Sequence, residues 1–325
     1  MTARSVNSEI VIDENLCWGC GYCVSFCPKN CLEMTGNRIN KMGYTIPVAT
    51  SPENCNFCGN CVEMCPHWAI EIYHSVDVTK KNKNRNKVAG PPKLAPSAPL
   101  VSCRGCQHPT VGRIIAQVID ELRLDDQFVA LDAAGCGGSS TFDLNFGRII
   151  TVDEDPIAEG VKTKKAYPDK LVFVVQNEIN CISTGLESLI KSLACADMIT
   201  LIMCNESNYG TNGGRIEPII PIKTSNRRDF ILGRYPIPLA EMVAQFQGVS
   251  YCARSAITSL KDYRRTKKYI KNAFQNQLNS SGFGFVEILC GCSPEFGVID
   301  PLECLDWIRE KMVLAFPLGE FKKAH

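Results

Sequence analysis

The sequence lacks several features that would assign it to common protein classes. It has no apolar run near the ~20 residues needed to span a bilayer, and its first ten residues, MTARSVNSEI, lack the apolar stretch of a secretory signal. Its 35 Lys and Arg are balanced by 34 Asp and Glu, which leaves a net charge of +1 and no general attraction for nucleic acid or anionic lipid. We therefore expect a cytoplasmic protein with no nucleic-acid partner and no membrane insertion.

Familiar catalytic and nucleotide-binding signatures are missing as well. The chain has no Ser-His-Asp arrangement, no P-loop and no GxGxxG that opens a helix after a strand. Cysteine is abundant instead, with 19 in 325 residues. Because cytoplasmic thiols stay reduced and the total is odd, this abundance indicates metal ligands rather than disulfides. The length and a hydrophobic content of 45% predict about two domains with a sizeable core.

The cysteines are concentrated near the N-terminus. Nine of the 19 lie between residues 17 and 65, in two similar halves, CWGCGYCVSFCP and CNFCGNCVEMCP, which form an internal repeat. Residues 74–100 are rich first in Lys and Asn and then in Pro, Ala and Gly, a composition that predicts an exposed, flexible connector. A docking patch for an acidic partner is a second interpretation of its basic run. We predict domains over 1–73 and 101–325, joined by a linker over 74–100.

The repeat predicts two [4Fe-4S] clusters. Each half has the spacing C-x2-C-x2-C-x3-C-P, in which three thiolates bind one cluster and the fourth cysteine, before Pro, binds the other cluster. CxxC pairs also bind zinc, but the doubled spacing favours clusters. We assign to cluster 1 Cys17, Cys20, Cys23 and Cys65, and to cluster 2 Cys27, Cys55, Cys58 and Cys61. The segment resembles a two-cluster ferredoxin of the small α+β type, which implies low-potential, one-electron transfer.

From Leu100 onward, short apolar runs of strand length alternate with stretches of helical periodicity. The clearest predicted helices cover 110–122, 183–193 and 263–278, and the predicted strands cover 128–131, 149–152, 171–175, 199–203 and 284–289. Strands that alternate with helices predict an α/β fold, with a parallel sheet and helices on both faces.

A series of short motifs in this region carries a more specific resemblance. In chain order they are CRGCQHPTVGRIIAQVIDEL, AGCGGSS, YPDKLVFVVQ, NYGTNGGRIEP, YPIPLAEMVA, GFVEILCGCSPEFG and FPLGEFK. Together they resemble the β subunits of 2-oxoacid:ferredoxin oxidoreductases, a thiamine-diphosphate-binding family, over about residues 101–323. The resemblance implies a thiamine-diphosphate-binding type of parallel sheet. It also implies a third [4Fe-4S] cluster, cluster 3, held by Cys103, Cys106, Cys136 and Cys292.

Two assignments near cluster 3 stay open. Cys290 is an alternative to Cys292 as the fourth ligand, although the family pattern favours Cys292. His108 matches the histidine that follows the family's second cysteine, so it either supports the third cluster or is an ordinary hydrogen-bonded histidine at the start of a helix.

The thiamine-binding motifs of the family are altered here. The family's Gly-Asp-Gly-Asp run falls on Asn177-Glu178-Ile179-Asn180, so both glycines are lost and Glu178 occupies the metal-ligand position. In the next turn, the side-chain ligand position falls on Glu206 and the backbone-carbonyl position on Asn208. By spacing alone, a third element, His-Gly-Arg, aligns with residues 153–155, which are all acidic. Several carboxylates in one pocket repel a diphosphate.

These changes leave several functions open. A divalent ion held between Glu178 and Glu206 would offset part of the repulsion, and the alternative is that both are solvated turn residues at an emptied pocket. We expect three [4Fe-4S] clusters, whereas binding of thiamine diphosphate and magnesium is doubtful. The resemblance also implies an α subunit, further subunits and an external ferredoxin or similar electron carrier.

Three hypotheses follow for the activity. The favoured one is an iron–sulphur electron-transfer subunit with an impaired thiamine site, in a complex of anaerobic metabolism. The second is an active β subunit that oxidatively decarboxylates a 2-oxoacid to acyl-CoA and reduces ferredoxin. The third is a divergent enzyme that binds another cofactor or metal in the acidic pocket.

Overall fold

The computed structural model describes most of the chain. The described residues are 7–75, 85–95, 102–133, 148–151, 155–206, 208–209, 217–218, 237–291 and 300–323. Among the helices in these ranges, none combines the length and apolar character that crossing a membrane requires.

The N-terminal part is built from small strands and two one-turn helices. Its strands are β1 (Asn7–Ile12), β2 (Leu32–Glu33), β3 (Val48–Ala49), β4 (Ile70–Ser75) and β5 (Arg85–Ala89), and its helices are α1 (Tyr22–Ser25) and α2 (Asn60–Glu63). A 3₁₀ turn covers Pro52–Asn54. The strands form an antiparallel sheet in the order β1-β4-β5 and a separate β2-β3 pair. Both helices start after a left-handed glycine at matched positions, so the sequence repeat is also a backbone repeat.

Strand β5 lies within the segment whose composition predicts a connector. It pairs with β4 as the edge strand of the sheet, and Ala89 packs against the hydrophobic core of the N-terminal part. Asn86, Lys87 and Val88 are exposed. An edge strand with one open side tolerates charged residues, and this is why its composition resembles that of a solvated linker.

The C-terminal part contains a seven-stranded sheet in the order β14-β12-β13-β9-β8-β6-β7. Six strands are parallel, as predicted, and β14 is an antiparallel edge strand. The strands of this sheet are β6 (Phe128–Ala133), β7 (Arg148–Thr151), β8 (Leu171–Asn177), β9 (Thr200–Asn205), β12 (Val249–Ala256), β13 (Phe283–Leu289) and β14 (Gly319–Lys322). A further two-stranded pair consists of β10 (Asn208–Tyr209) and β11 (Glu217–Pro218).

Helices cover both faces of the large sheet. They are α3 (His108–Leu122), α4 (Pro156–Ala166), α5 (Glu178–Ile182), α6 (Leu186–Cys195), α7 (Leu239–Ala244), α8 (Leu260–Leu278), α9 (Pro301–Trp307) and α10 (Val313–Ala315), with a π-helical turn over Ile308–Met312. Alternate residues of β8 enter two different cores, because successive strand side chains point to opposite faces. Phe173 packs with α3 and α8, whereas Val172 and Val174 pack with α4, α6 and α7.

Strand β12 lies inside the sheet although its sequence, VSYCARSA, is not uniformly apolar. All eight of its residues are buried, including Arg254, which is fully buried. The Arg254 Nε donates to Glu287 Oε2 at 2.9 Å, and its Nη1 donates to Glu241 Oε1 at 2.7 Å. Asn205 Nδ2 also donates to Glu287, at 2.6 Å. This network makes burial of the guanidinium possible.

The two parts of the chain share one hydrophobic core. Tyr22, Met64 and Trp68, from the N-terminal part, are buried in the same cluster as the inner faces of α3 and α8. The structure therefore differs from a loosely tethered arrangement: the N-terminal part is docked on the large domain.

Candidate functional site

The four cysteines assigned to cluster 1 lie together on one side of the N-terminal part. Burial, together with the nearby thiol of Cys65, raises the pKa of Cys17 to about 11. Burial also raises the pKa of Cys23, with added contributions from Cys20, Cys65 and Cys17. Buried thiols that repel one another as thiolates need a strong positive partner before they ionise. Iron in a cluster supplies that charge.

The cysteines assigned to cluster 2 form a second group. Burial, together with the thiols of Cys27, Cys55 and Cys58, raises the pKa of Cys61 to about 12. The structure thus brings Cys65 to the first run of cysteines and Cys27 to the second. Cys58 is exposed, so this group reaches the protein surface. Both groups offer the all-thiolate donor set that iron–sulphur clusters take.

Backbone amides donate to sulphur at equivalent positions of the two halves. The amide of Cys31 lies 3.3 Å from the Sγ of Cys27, and the amide of Ala69 lies 3.3 Å from the Sγ of Cys65. Hydrogen bonds to ligand sulphur tune the reduction potential of a cluster. The sequence repeat is the signal that could have found these donors, but it does not show which amides point at sulphur.

Only part of the cluster 3 site is described. Cys103 is exposed and Cys106 is buried, whereas Cys136 and Cys292 lie outside the described residues. The side chain of Gln107 links two of the predicted segments: its Oε1 accepts from the amide of Gly291 at 2.8 Å. The Cys103–Cys106 loop therefore lies close to Gly291, the residue that precedes Cys292 in the sequence.

The alternative ligand, Cys290, is fully buried. A hydrogen bond between its thiol and that of Cys204 is the largest influence on the pKa of Cys290, which is raised well above the ordinary value. The same contact, together with His108, lowers the pKa of Cys204 to about 5, although burial opposes that shift. The structure thus pairs Cys290 with Cys204 on the neighbouring strand.

His108 connects the cluster 3 loop to the altered thiamine motifs. It is buried at the first residue of α3, with Nδ1 3.3 Å from Cys106 Sγ and Nε2 3.1 Å from Glu206 Oε1. Burial alone would lower the pKa of His108, but the Glu206 carboxylate and the thiols of Cys106 and Cys204 raise it well above its ordinary value. Burial raises the pKa of Glu206, and the facing imidazole opposes that shift.

The cluster 1 loop and the cluster 3 loop touch each other. Arg104, between the two described cluster 3 cysteines, donates from Nε and Nη2 to the carbonyl oxygen of Gly19, at 3.0 and 2.7 Å. The buried hydroxyl of Tyr22 lies 3.0 Å from the carbonyl oxygen of Gly105 and 3.3 Å from that of Pro301. Gly105 is left-handed, with φ of 77°, and a Cβ there would lie 2.4 Å from Pro301 Cβ, so only glycine fits this close approach.

The altered thiamine motifs lie at the carboxyl ends of two neighbouring strands. Asn177 at the end of β8 is paired in register with Cys204 of β9, so Glu178 and Glu206 follow at adjacent positions. Both carboxylates are buried. Asn208 begins β10, but its side chain is not among those described. In the described part of the chain, no group of three or more His, Cys, Asp or Glu side chains is arranged to hold a single metal ion.

The third altered motif, residues 153–155, contributes a helix cap. Asp155 accepts from the amide of Ile157 at 2.9 Å at the start of α4, while residues 153 and 154 lie outside the described residues. At the first element, Glu178 opens α5, and Asn177, which stands where the family has glycine, caps that helix. Glu206 is directed at His108, so one of the two candidate ligand carboxylates already faces a buried imidazole.

Known proteins match both parts of the chain. Residues 16–69 match the 4Fe-4S dicluster domain family. Ketoisovalerate oxidoreductase subunit VorA of Methanothermobacter thermautotrophicus is 24% identical over 233 residues, which is 70% of this chain and 49% of the relative. The 2-oxoglutarate synthase subunit KorB of Archaeoglobus fulgidus is 27% identical over 217 residues, 65% of this chain and 76% of the relative. The chain thus spans about half the length of the curated VorA relative.

The fold has a match among solved structures. A 2-oxoglutarate:ferredoxin oxidoreductase from Magnetococcus marinus, solved with 2-oxoglutarate, coenzyme A and succinyl-CoA bound, superposes with a TM-score of 0.54 at 20% identity. The match covers 70% of this chain and 83% of that one, and it confirms the predicted fold class. Residues 16–69 therefore form a 4Fe-4S dicluster domain, and the chain is homologous to subunits of 2-oxoacid:ferredoxin oxidoreductases.

Proposed function

We propose that this chain is the iron–sulphur electron-transfer subunit of a 2-oxoacid:ferredoxin oxidoreductase-type complex, with an impaired thiamine site. The observation that carries the proposal is the direct contact between two ligand loops. Arg104 and Tyr22 join the Cys103–Cys106 loop to the loop that bears Cys17, Cys20 and Cys23. A ferredoxin-like domain fixed in this way forms one continuous path with the large domain.

The proposed ligands are the three sets of four cysteines that the sequence predicts. Cluster 1 takes Cys17, Cys20, Cys23 and Cys65; cluster 2 takes Cys27, Cys55, Cys58 and Cys61; cluster 3 takes Cys103, Cys106, Cys136 and Cys292. The thiol of Cys290 is paired with Cys204, which supports Cys292 as the fourth ligand of cluster 3. The proximity of Cys65 and Cys27 to opposite runs supports the first two sets.

The arrangement gives the path an order. The cluster 3 loop meets the cluster 1 loop at the contact between Arg104 and Gly19, and the cluster 2 cysteines reach the surface at Cys58. Electrons would enter or leave at Cys58 by way of an external ferredoxin or similar carrier. An α subunit, with further subunits, would complete the cleft near Glu178 and Glu206.

The cofactor pocket supports an electron-transfer role over a catalytic one. Glu206 forms a buried pair with His108, and Glu178 stands where the family has a flexible glycine-rich turn. Two buried carboxylates disfavour a ligand that carries several negative charges. His108 would then support the cluster 3 loop through Cys106 rather than a catalytic centre.

A ligand-exchange experiment tests the cluster assignments. In the anaerobically purified complex, Cys65→Ser should disturb the EPR signal of one cluster and leave the other ferredoxin-type signal intact. Cys181→Ser is the control: this cysteine is fully buried, lies in the large domain and belongs to no ligand set. Loss of both signals in the control, or of neither in Cys65→Ser, would contradict the assignment.

The second candidate function is the active β subunit, which performs thiamine-dependent oxidative decarboxylation of a 2-oxoacid to acyl-CoA. The names of the relatives favour it, since they include a ketoisovalerate oxidoreductase subunit and a 2-oxoglutarate synthase subunit. The two candidates differ in one assay. If a 2-oxoacid and coenzyme A reduce the clusters of the complex as dithionite does, the chain is an active β subunit. If dithionite alone reduces them, the electron-transfer role is correct.

A further inference from the structure

A buried arginine lies between the two parts of the chain without a hydrogen-bond partner. Arg113, on α3, is fully buried, and its guanidinium carbon lies 4.7 Å from the centre of the Trp68 ring. Within the described part of the chain, none of its three guanidinium nitrogens forms a hydrogen bond. Burial of a guanidinium that forms no hydrogen bonds is costly unless an anionic group nearby compensates its charge.

The groups around Arg113 point to cluster 1. Burial lowers the pKa of Arg113 most, while Tyr263, the Cys65 thiol and the Glu63 carboxylate oppose that shift. An arginine side chain stays protonated in proteins, so its charge persists in this site. Cys65 is the proposed fourth ligand of cluster 1, and its carbonyl oxygen accepts from the amide of Trp68 at 3.4 Å. Because the Arg113 guanidinium faces the Trp68 ring, its permanent positive charge lies near that cluster.

Arginine side chains act on the cysteines of cluster 1. Arg38 acts electrostatically on Cys17 and Arg104 acts on Cys20, so three arginines influence cluster 1 cysteines. For Cys61 of cluster 2, the electrostatic influences come from the thiols of its own ligand set. Of the three arginines, Arg113 is the one shielded from solvent, so its effect is screened least.

We propose that Arg113 is the buried counter-charge of cluster 1 and raises its reduction potential above that of cluster 2. Reduction adds one electron to a [4Fe-4S] cluster and hence one negative charge, with no proton transferred. A fixed positive charge nearby stabilises the reduced form more than the oxidised form. The proposal rests on the cluster 1 ligands proposed above. Its consequence is that the interior cluster fills before the surface cluster.

Redox titration of the intact anaerobic complex, monitored by EPR, tests this proposal. Arg113→Met should lower the ratio of reduced to oxidised cluster 1 at a fixed ambient potential at least tenfold, which is about 59 mV for a one-electron couple. The potential of cluster 2 should not change. Arg38→Met is the matched comparison: Arg38 also acts on a cluster 1 cysteine, but it is exposed, so solvent screening should make its shift of the cluster 1 potential much smaller than that of Arg113→Met. Cys58→Ser, which alters cluster 2, assigns the two signals.

If the Arg113→Met variant loses its iron, a second variant, Gln117→Glu, tests the same proposal. Gln117 lies one turn further along α3 and accepts from the Tyr263 hydroxyl at 3.0 Å, a bond that a carboxylate can also accept. Gln117→Glu retains the guanidinium and adds a nearby negative charge, so it should shift cluster 1 in the same direction.

The measurements distinguish failure of the role proposed for Arg113 from failure of the proposed function. An unchanged cluster 1 potential in an iron-replete variant would overturn the role of Arg113, because a purely structural arginine would leave the potential in place. Absence of clusters from the wild-type complex would instead refute the proposed function.

Discussion

The contact between Arg104 and Gly19 makes a quantitative prediction about docking of the ferredoxin-like domain. Two N–H groups of a charged, half-buried guanidinium donate to one carbonyl oxygen. Hydrogen bonds from charged donors contribute about 1.5–3 kcal/mol, so Arg104→Met should cost about 2 kcal/mol of docking free energy. Since 1.4 kcal/mol is a factor of ten, the undocked population should rise about thirtyfold.

Hydrogen–deuterium exchange under anaerobic conditions measures this change. Amides in residues 16–27 and 102–110 that exchange through undocking should exchange about thirtyfold faster in the variant. Arg38→Met is the control: Arg38 pairs with Glu14 at an exposed site, and such surface pairs contribute about 0–1 kcal/mol. Exchange within twofold of wild type in an iron-replete Arg104→Met protein would refute the docking role of this contact.

Three further predictions concern buried polar groups. Tyr22→Phe should weaken docking by about 1 kcal/mol, seen as roughly fivefold faster exchange of the same segments. Arg254→Met should destabilise the large domain by about 3–5 kcal/mol, because Glu287 is left unpaired, and denaturation followed by circular dichroism should show a smaller loss when Glu287→Leu is added. Burial lowers the pKa of His67 from 6.5 to about 3, so the unfolded chain takes up a proton first as pH falls below 6.5. Stability should therefore fall by about 1.4 kcal/mol at pH 5.5 relative to neutral pH, and His67→Phe, which retains a ring stacked on Trp18, should remove this dependence in pH-series denaturation.

The sequence was most informative where the pattern is local. The spacing of the cysteines predicts the dicluster domain, which the family match confirms for residues 16–69. Helical periodicity predicts the first residues of α3 and α8 to within three positions. Apolar runs of strand length predict most of the parallel strands. These signals depend on neighbours in the chain, so they need no knowledge of tertiary contacts.

The sequence did not predict strands that depend on contacts with residues distant in the chain. Strand β12 contains Arg254, which looks solvated in the sequence and is buried only because Glu287 and Glu241 come from other elements. Strand β5 resembles a linker because its outer edge is open. The roles of Arg104 and Arg113 depend on contacts between the two parts of the chain, and no sequence pattern reveals them.

In the altered thiamine motifs, too, the sequence predicts local features but not contacts between distant residues. The sequence identifies Glu178 and Glu206 as departures from the family, and their positions at adjacent strand ends follow from the parallel sheet. It does not show that Glu206 faces His108, because residues 108 and 206 meet only in the fold. That contact changes the interpretation of Glu206 from a candidate metal ligand to the partner of a buried imidazole.

The central claim is that the chain conducts electrons through three clusters and binds no thiamine diphosphate. A cofactor inventory of the anaerobically purified complex tests it most directly, with iron, acid-labile sulphide and acid-extracted thiamine diphosphate measured per chain. Three four-iron clusters predict about twelve irons per chain, together with no thiamine diphosphate. About eight irons would contradict the third cluster, and stoichiometric thiamine diphosphate would show that a pocket lined by Glu178 and Glu206 still holds the cofactor.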